Sequence, residues 1–355
     1  MAFIKLNRKK LKKNFLFLDQ LMKMNGREWS VVSKLLCGNE LYLREIIHLG
    51  VREICDSRIS NLKVVKSIDP NVQTVYIKPP ARRSIRDVIR YADVSFNSEF
   101  DTIKWLSDEA VKQKKKHKII IMIELGDLRE GVMGHELVDF YASVFKLPNI
   151  EVTGIGSNLN CLNGVLPSED KMIILSLYKQ LIETKYNVKI PWVTGGTSAM
   201  VPMLIRHQVP SSINHFRIGE CLFFGNDLIT GEKMDGMDDD VLMLYAEIIE
   251  ITKKPKIPIG QLDVNPNGDL FEIEEEDYGK KSYRAIVDVG LLDISTNFMI
   301  PVDPKVSISG ASSDMLILDL GERTRYKVGD LMAFQLRYMG ALRLLSSDYV
   351  GKELE

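Results

Sequence analysis

Cysteine is scarce in this sequence: the four present, Cys37, Cys55, Cys161 and Cys221, lie too far apart for a C-x-x-C metal or redox pattern. A chain of 355 residues, 45% of them hydrophobic, is large enough to fold without disulfide staples. A reducing compartment follows, and the chain reads as cytoplasmic. An excess of charge is also lacking, since 47 basic residues meet 48 acidic ones for a net charge of −1. That balance leaves no electrostatic footprint for nucleic acid or an anionic membrane surface. No apolar run approaches the roughly 20 residues of a membrane span. The run 15–18 is cut by Asp19, so the basic N-terminus does not read as a signal peptide. Histidines are few, and none of His48, His117, His135, His207 and His215 pairs with another at metal-ligand spacing, so no metal is expected. The exclusions leave a small-molecule enzyme, with length for two domains.

What is present begins with a short strand at 3–6 and then a helical spacing of apolar residues at Leu11, Phe15, Leu18 and Met22. From Trp29 onward short strands alternate with helix-like stretches. The strands are expected at 31–33, 53–56, 74–78, 94–97, 119–124, 152–156, 192–194 and 215–217. Repeated β-then-α units bury both faces of a parallel sheet, and eight of them close into a (β/α)8 TIM barrel. An open doubly wound sheet is the alternative that spacing alone does not separate. Around 230–240 the composition turns to Gly, Asp and Met, which reads as a linker. Beyond it come β-type segments at 242–251, 283–289, 306–308, 316–320 and 332–336, broken by Pro255, Pro258, Pro266, Pro301 and Pro304. The expected organisation is a barrel domain over 1–235 and an all-β C-terminal domain over 236–355.

In such a barrel the chemistry gathers just past the C-terminal end of each strand. Lys34 follows the first strand in W-S-V-V-S-K, and an amine ending a buried strand is suited to attack an aldehyde. Asp127 and Arg129, in E-L-G-D-L-R-E-G-V, follow the fifth strand; Asn158 and Asn160, in G-I-G-S-N-L-N-C, follow the sixth. After the seventh comes T-G-G-T-S, with two glycines that let backbone approach a ligand and a hydroxyl at a helix start, a pattern that suits phosphate. The bland reading of that stretch is a tight turn with a Ser cap. After the eighth comes F-R-I-G-E, where Arg217 is either a core-edge ion-pair partner or a group facing a ring nitrogen.

These motifs together, with N-H-F-R-I-G-E-C-L-F-F-G and the later G-A-S-S-D-M-L-I-L-D at 310–319, resemble the alanine/ornithine racemase family of pyridoxal-phosphate enzymes, nearest its ornithine racemase-like branch. The likeness runs in order over nearly the whole chain. It implies pyridoxal 5'-phosphate as cofactor, an amino acid as substrate, and a head-to-tail homodimer whose active site is completed by the neighbour's β domain. By the same resemblance Lys34 is the lysine that joins the cofactor aldehyde and carries the α-proton on one face. Gly196, Thr197, Ser198 and Gly219 are phosphate-holding residues, and Tyr349 also reaches the phosphate. Arg217 faces the pyridine nitrogen, Arg129 is a substrate-side arginine, and Asn158 stands where alanine racemases carry a ring-facing histidine. A guanidinium does not accept the ring's proton, so Arg217 makes the cofactor a weaker electron sink and favours return of the α-proton over transamination.

One departure matters. Alanine racemases place the opposite-face tyrosine near S-Y-G, and the corresponding stretch here is P-I-G-Q at 258–261, where Ile259 moves no proton. Ser313 and Asp314 are the candidates for that duty, beside Ser312. Cys161 reads first as a small buried apolar residue and secondarily as a base; His135, in the fifth-strand loop, takes no role. The identity of the racemised amino acid is left open by sequence, ornithine resting on the branch resemblance alone. The other functional readings are a non-catalytic pyridoxal-phosphate carrier, which would resemble the barrel alone, and a decarboxylase of a basic amino acid, for which a carboxylate rather than Arg217 is expected.

Overall fold

In the computed structural model, which describes residues 2–264 and 270–355, short and mostly buried strands alternate with helices that bury one face. In chain order they are β1 (Phe3–Leu6), α1 (Arg8–Met24), β2 (Glu28–Val32), α2 (Glu40–His48), β3 (Glu53–Asp56), α3 (Ile59–Ile68), β4 (Gln73–Tyr76), α4 (Ile85–Tyr91) and β5 (Val94–Asn97). There follow α5 (Phe100–Lys112), β6 (His117–Met122), α6 (Leu137–Val144), β7 (Ile150–Gly156), α7 (Glu169–Tyr186), β8 (Trp192–Thr194), β9 (Gly196–Thr197), α8 (Val201–Ile205), β10 (His215–Ile218) and α9 (Glu220–Phe224). The chain divides into two compact units, Arg8–Val241 and a second made of Met1–Asn7 with Leu242–Glu355.

The first unit is a parallel sheet in the order β8-β7-β6-β5-β4-β3-β2-β10-β9. Its two edges are consecutive pieces of chain: Thr194 of β8 pairs with Gly156, and Gly196 of β9 pairs with Phe216 on the other side. One barrel strand, interrupted at Gly195, therefore joins both edges, and the open-sheet alternative falls away. The glycines at the break answer to packing. A Cβ on Gly195 would meet Met172 Sδ at 2.8 Å, and one on Gly196 would meet the Phe216 ring at 2.3 Å. Helix α1 buries Leu11, Phe15, Leu18 and Met22, the face its spacing predicts. Asn14 holds α1 in place by donating to the carbonyls of Leu222 (3.1 Å) and Asp238 (2.8 Å).

Buried polar residues in the barrel are paired, as burial requires. His215 is the satisfied core histidine its position suggests, bonded to Glu53 Oε1 and Thr194 Oγ1 at 2.8 Å each and stacked on Trp192. His117 starts β6 and bonds through Nε2 to Ser95 Oγ at 2.8 Å, while Asn97 Nδ2 donates to the same Oγ at 3.0 Å. The direction of the Ser95–His117 bond follows the ring's tautomer. Burial, first among the causes, lowers the His117 pKa to about 4, with Asp93 raising it and Lys115 lowering it. Because the folded value lies below the unfolded one of about 6.5, its contribution is intact above about pH 6.5 and is lost as pH falls towards 4, about 3 kcal/mol in all. Chemical denaturation of the parent and of His117→Asn between pH 7 and pH 4 is expected to show a shallower acid loss in the variant; parallel curves would refute the assignment.

The second unit is an eight-stranded sheet. It comprises β11 (Leu242–Pro255), β12 (Lys281–Val287), β13 (Met299–Pro301), β14 (Ser307–Ala311), β15 (Leu316–Asp319), β16 (Leu331–Leu336) and β17 (Gly351–Leu354) together with β1. Long β11 lies between β12 and β16, both antiparallel, and Phe3–Leu6 pairs with β11 on one side and β17 on the other. That pairing is why the first residues belong with the C-terminal unit. The sheet also carries one helix that the β-type pattern does not announce, α10 (Tyr338–Ser346). Pro266, one of the expected breaks, lies outside the described residues.

Candidate active site

All parallel strands of a barrel end on one face, and the sequence candidates of the first unit gather there. Val32 ends β2; Ser33 N then donates to Cys55 O at 2.9 Å and Ser33 Oγ to Asp56 Oδ2 at 2.9 Å. Asp56, fully buried, also accepts from Arg58 N at 2.8 Å and Asn61 Nδ2 at 3.1 Å. Burial raises its pKa, against the hydrogen bonds from Arg58, Ser33, Asn61 and Ser57, which lower it. This buried acid fixes the turn from below. Leu35 and Leu36 pin it from the other side, and Lys34, exposed, is held between rigid flanks. Beyond the turn, Gly38 takes φ +77, with Asn61 Oδ1 only 2.7 Å from where a Cβ would stand.

Strand β10 lies next to β2 in register Arg217↔Ser30 and next to β9 in register Arg217↔Thr197. Arg217 is 5% exposed and lies over the Phe96 ring, with its guanidinium carbon 5.1 Å from the centroid. Its Nη1 donates to Asn158 Oδ1 at 2.9 Å and its Nη2 to Ser157 O at 2.8 Å. Its Nε is buried with no partner among the described residues. Burial lowers its pKa, yet a guanidinium stays charged in proteins.

The network continues outward. Asn158 Nδ2 donates to Glu130 Oε1, and Glu130 pairs with Arg129. The hydrogen bond to Glu130 holds the Arg129 pKa above its usual value, against burial. Asp127, at 1% exposure, ties this loop to the next: its carboxylate accepts from the backbone N–H groups of Cys161 (3.1 Å), Leu162 (2.9 Å), Asn163 (3.2 Å) and Val165 (3.3 Å). Burial pushes the Asp127 pKa up, and these four donors more than offset it, so the carboxyl sits below its ordinary value. Asp127 is thus a fastening between the loops after β6 and β7. Cys161 is exposed, not the buried apolar residue expected. His135 is exposed in a turn ahead of α6.

At the ends of β9 and β10, Ser198 Oγ accepts from Gly219 N at 3.1 Å and Cys221 N at 3.4 Å, which leaves its own proton to donate. A Cβ on Gly219 would stand 3.1 Å from Val32 Cβ, so that strand end admits only glycine without a shift. The next residue, Glu220, went unnoticed in the sequence. Burial raises its pKa and the charge of Lys34 lowers it. The pairing of β10 with β2, which brings the ends of the two strands side by side, was the missing information, and for Asp56 it was the pairing of β3 with β2. Glu130 was legible as the neighbour of Arg129.

The remaining sequence candidates belong to the C-terminal unit. Ser313 and Asp314 are exposed in the turn between β14 and β15, where Ser313 Oγ donates to Asp314 Oδ2 at 2.5 Å. Tyr349 is 81% exposed just ahead of β17. Ile259, where a tyrosine was missed, is 93% exposed. No group of three or more His, Cys, Asp and Glu among the described residues is placed to hold a metal ion, and none of their helices is long and apolar enough to cross a membrane.

The alanine racemase N-terminal domain model matches residues 6–227. The chain belongs to that family. Ornithine racemase of Acetoanaerobium sticklandii is 36% identical over 347 residues, 97% of each chain, and lysine racemase of Thermotoga maritima 28% identical over 350 residues, 99% of this chain and 97% of the other. In fold, the chain is similar to alanine racemase from Bartonella henselae with covalently bound pyridoxal phosphate, at TM-score 0.75 and 16% identity over 100% and 99% of the two chains. It is equally similar to D-threonine aldolase from Filomicrobium marinum, at TM-score 0.75 and 13% identity over 99% and 91%.

Proposed function

We propose that this chain is a pyridoxal-phosphate-dependent amino-acid racemase of the ornithine racemase-like kind, with a diamino acid such as ornithine as substrate. The observation that carries the reading is Arg217: a buried guanidinium spends two nitrogens on Asn158 and Ser157 and keeps a buried Nε–H without a partner among the described residues. A ring nitrogen is the acceptor such a donor lacks, so the residues present fit the cofactor. Full-length similarity to racemases of ornithine and lysine supports both the reaction and the substrate class.

When bound, the cofactor supplies an aldehyde that takes the substrate amine and a ring that withdraws electrons from the α-carbon. The chain does the rest. Lys34 Nζ holds the aldehyde in the resting protein and moves the α-proton on one face, its turn immobilised by Asp56. Ser198 donates its hydroxyl proton to the phosphate, beside Thr197, Gly196 and the backbone of Gly219; Tyr349 adds a phenol from the C-terminal domain. Arg217, permanently charged, denies the ring nitrogen a proton and so limits electron withdrawal, which favours proton return over transamination. Asn158 orients Arg217, and Arg129, oriented by Glu130, faces the substrate carboxylate. Ser313 and Asp314 stand on the substrate side of the C-terminal domain of a partner copy, in a head-to-tail homodimer working in the cytoplasm.

The carrier reading predicts no need of the second unit, which here spans Leu242–Glu355 with its own sheet. The decarboxylase reading predicts a carboxylate where Arg217 stands. Incubating the purified protein plus pyridoxal phosphate with single enantiomers of ornithine, lysine, alanine and serine is expected to erase the optical rotation of ornithine fastest. Retained rotation throughout would reject racemisation; carbon dioxide release would revive decarboxylation.

A further inference from the structure

An enzyme that inverts an α-carbon needs one proton-moving group on each face, and the sequence provides an obvious one only in Lys34. We propose that Cys161 is the acid/base of the opposite face. The proposal rests on the racemase reading above and names the residue that reading lacks.

Position comes first. Lys34 follows the first barrel strand and Cys161 the sixth, and in the ring of strands β7 is separated from β2 by the interrupted strand β8/β9 and by β10. The two groups therefore approach the mouth from different sides, with Arg217 of β10 between them. Backbone comes second. Asn160 adopts φ 56, a left-handed turn, and Asp127 Oδ2 grips the Cys161 N–H at 3.1 Å, so the residue is presented by a fixed loop. The residue is exposed, and its Sγ makes a weak hydrogen bond to Leu159 O at 3.4 Å. The thiol sits in the field of both Arg129 and Arg217, and Arg217 is the side chain whose buried Nε–H has no partner among the described residues.

The remaining cysteines make the contrast. Cys55 and Cys221 are fully buried, and burial pushes both thiols well above the ordinary cysteine range, so they keep their protons. Burial raises the Cys161 thiol as well and, with the carboxylates of Glu130 and Asp127, keeps it above its ordinary value, but there the guanidiniums of Arg129 and Arg217 pull the other way. A group that alternates between thiol and thiolate needs that opposition. The protons balance: in one direction the neutral Lys34 amine takes the α-proton and the Cys161 thiol delivers its own to the other face, leaving ammonium and thiolate. In the return direction the thiolate takes the α-proton and the ammonium delivers. No other reactant is consumed.

The test uses the full-length holoprotein in deuterium oxide, following α-proton exchange of each ornithine enantiomer separately by NMR, beside racemisation and the visible absorbance of the lysine-bound cofactor. In Cys161→Ala racemisation is expected to fall at least about 10²-fold, with the absorbance kept and one enantiomer still exchanging through Lys34. Racemisation by Cys161→Ala within about threefold of the parent, or equal loss of both exchanges with the absorbance kept, overturns the assignment of Cys161 alone. A parent that exchanges neither enantiomer overturns the racemase reading, and Cys161 with it. Should the variant not fold, peptide-resolved alkylation of the parent by iodoacetamide decides: ornithine is expected to slow modification of Cys161 at least about tenfold, and modification without protection overturns the proposal.

Discussion

Replacing Lys34 by alanine is expected to yield a folded protein that racemises no amino acid. The fold should tolerate the change because the side chain is exposed, while the groups that shape its turn, Ser33, Asp56, Leu35 and Leu36, are buried and untouched. Activity should not tolerate it, since the amine serves twice. A placed acid/base contributes about 10²–10⁴-fold by itself, and loss of the covalent link adds to that, so a fall of at least about 10⁴-fold is expected. Lys34→Arg should be no better, because a guanidinium neither joins an aldehyde nor gives up its proton at neutral pH. Chiral chromatography of ornithine after long incubation measures the effect, and thermal unfolding checks the fold. Residual turnover above about 1% of the parent would mean that another group moves the proton on that face.

The comparison of pattern with structure divides by range. The eight barrel strands were legible because each is buried on both faces and reads as a short apolar run between turn signals, and α1 because its apolar spacing is helical. The places of Lys34, Arg217 and Ser198 at or just past strand ends were legible from the strand pattern, and a barrel gathers its working residues there. What stayed hidden depends on pairs distant in the chain. The pairing of Phe3–Leu6 with β11 lies some 240 positions away. Nothing local told that Gly195 interrupts a strand to close the barrel, or that Asp127 serves as a fastening for the loop holding Cys161. Exposure was hidden as well: a lone cysteine reads as buried on average, and only the loop's path turns Cys161 outward.

Fold alone decides little about the reaction here. A D-threonine aldolase and an alanine racemase share this chain's architecture at the same TM-score, so the choice of chemistry lies in side chains. Around the barrel mouth the difference-making groups form one chain of hydrogen bonds, from Arg217 through Asn158 and Glu130 to Arg129. Its outer end, at Arg129, is partly exposed, and its inner end, at Arg217, is buried.

That inner end carries the second large expected effect. Arg217→Gln removes a permanent charge and leaves Ser157 O and Asn158 Oδ1, accepted at 2.8 and 2.9 Å in the parent, competing for one amide. Loss of a preorganised buried donor typically costs about 10²–10³-fold in kcat, and a fall of that size is expected here. Arg217→Lys tests what part of it is geometry. It restores the charge but not the planar fork, and one ammonium does not reach Ser157 O, Asn158 Oδ1 and a ring nitrogen together. If the fork matters, Arg217→Lys regains at most about tenfold over Arg217→Gln; if charge alone suffices, it returns to within about threefold of the parent, and the geometric account of Arg217 is wrong. KM should change less than kcat in both variants if, as proposed, the residue faces the cofactor rather than the substrate. A large rise in KM at unchanged kcat would instead move Arg217 from the cofactor ring to substrate binding.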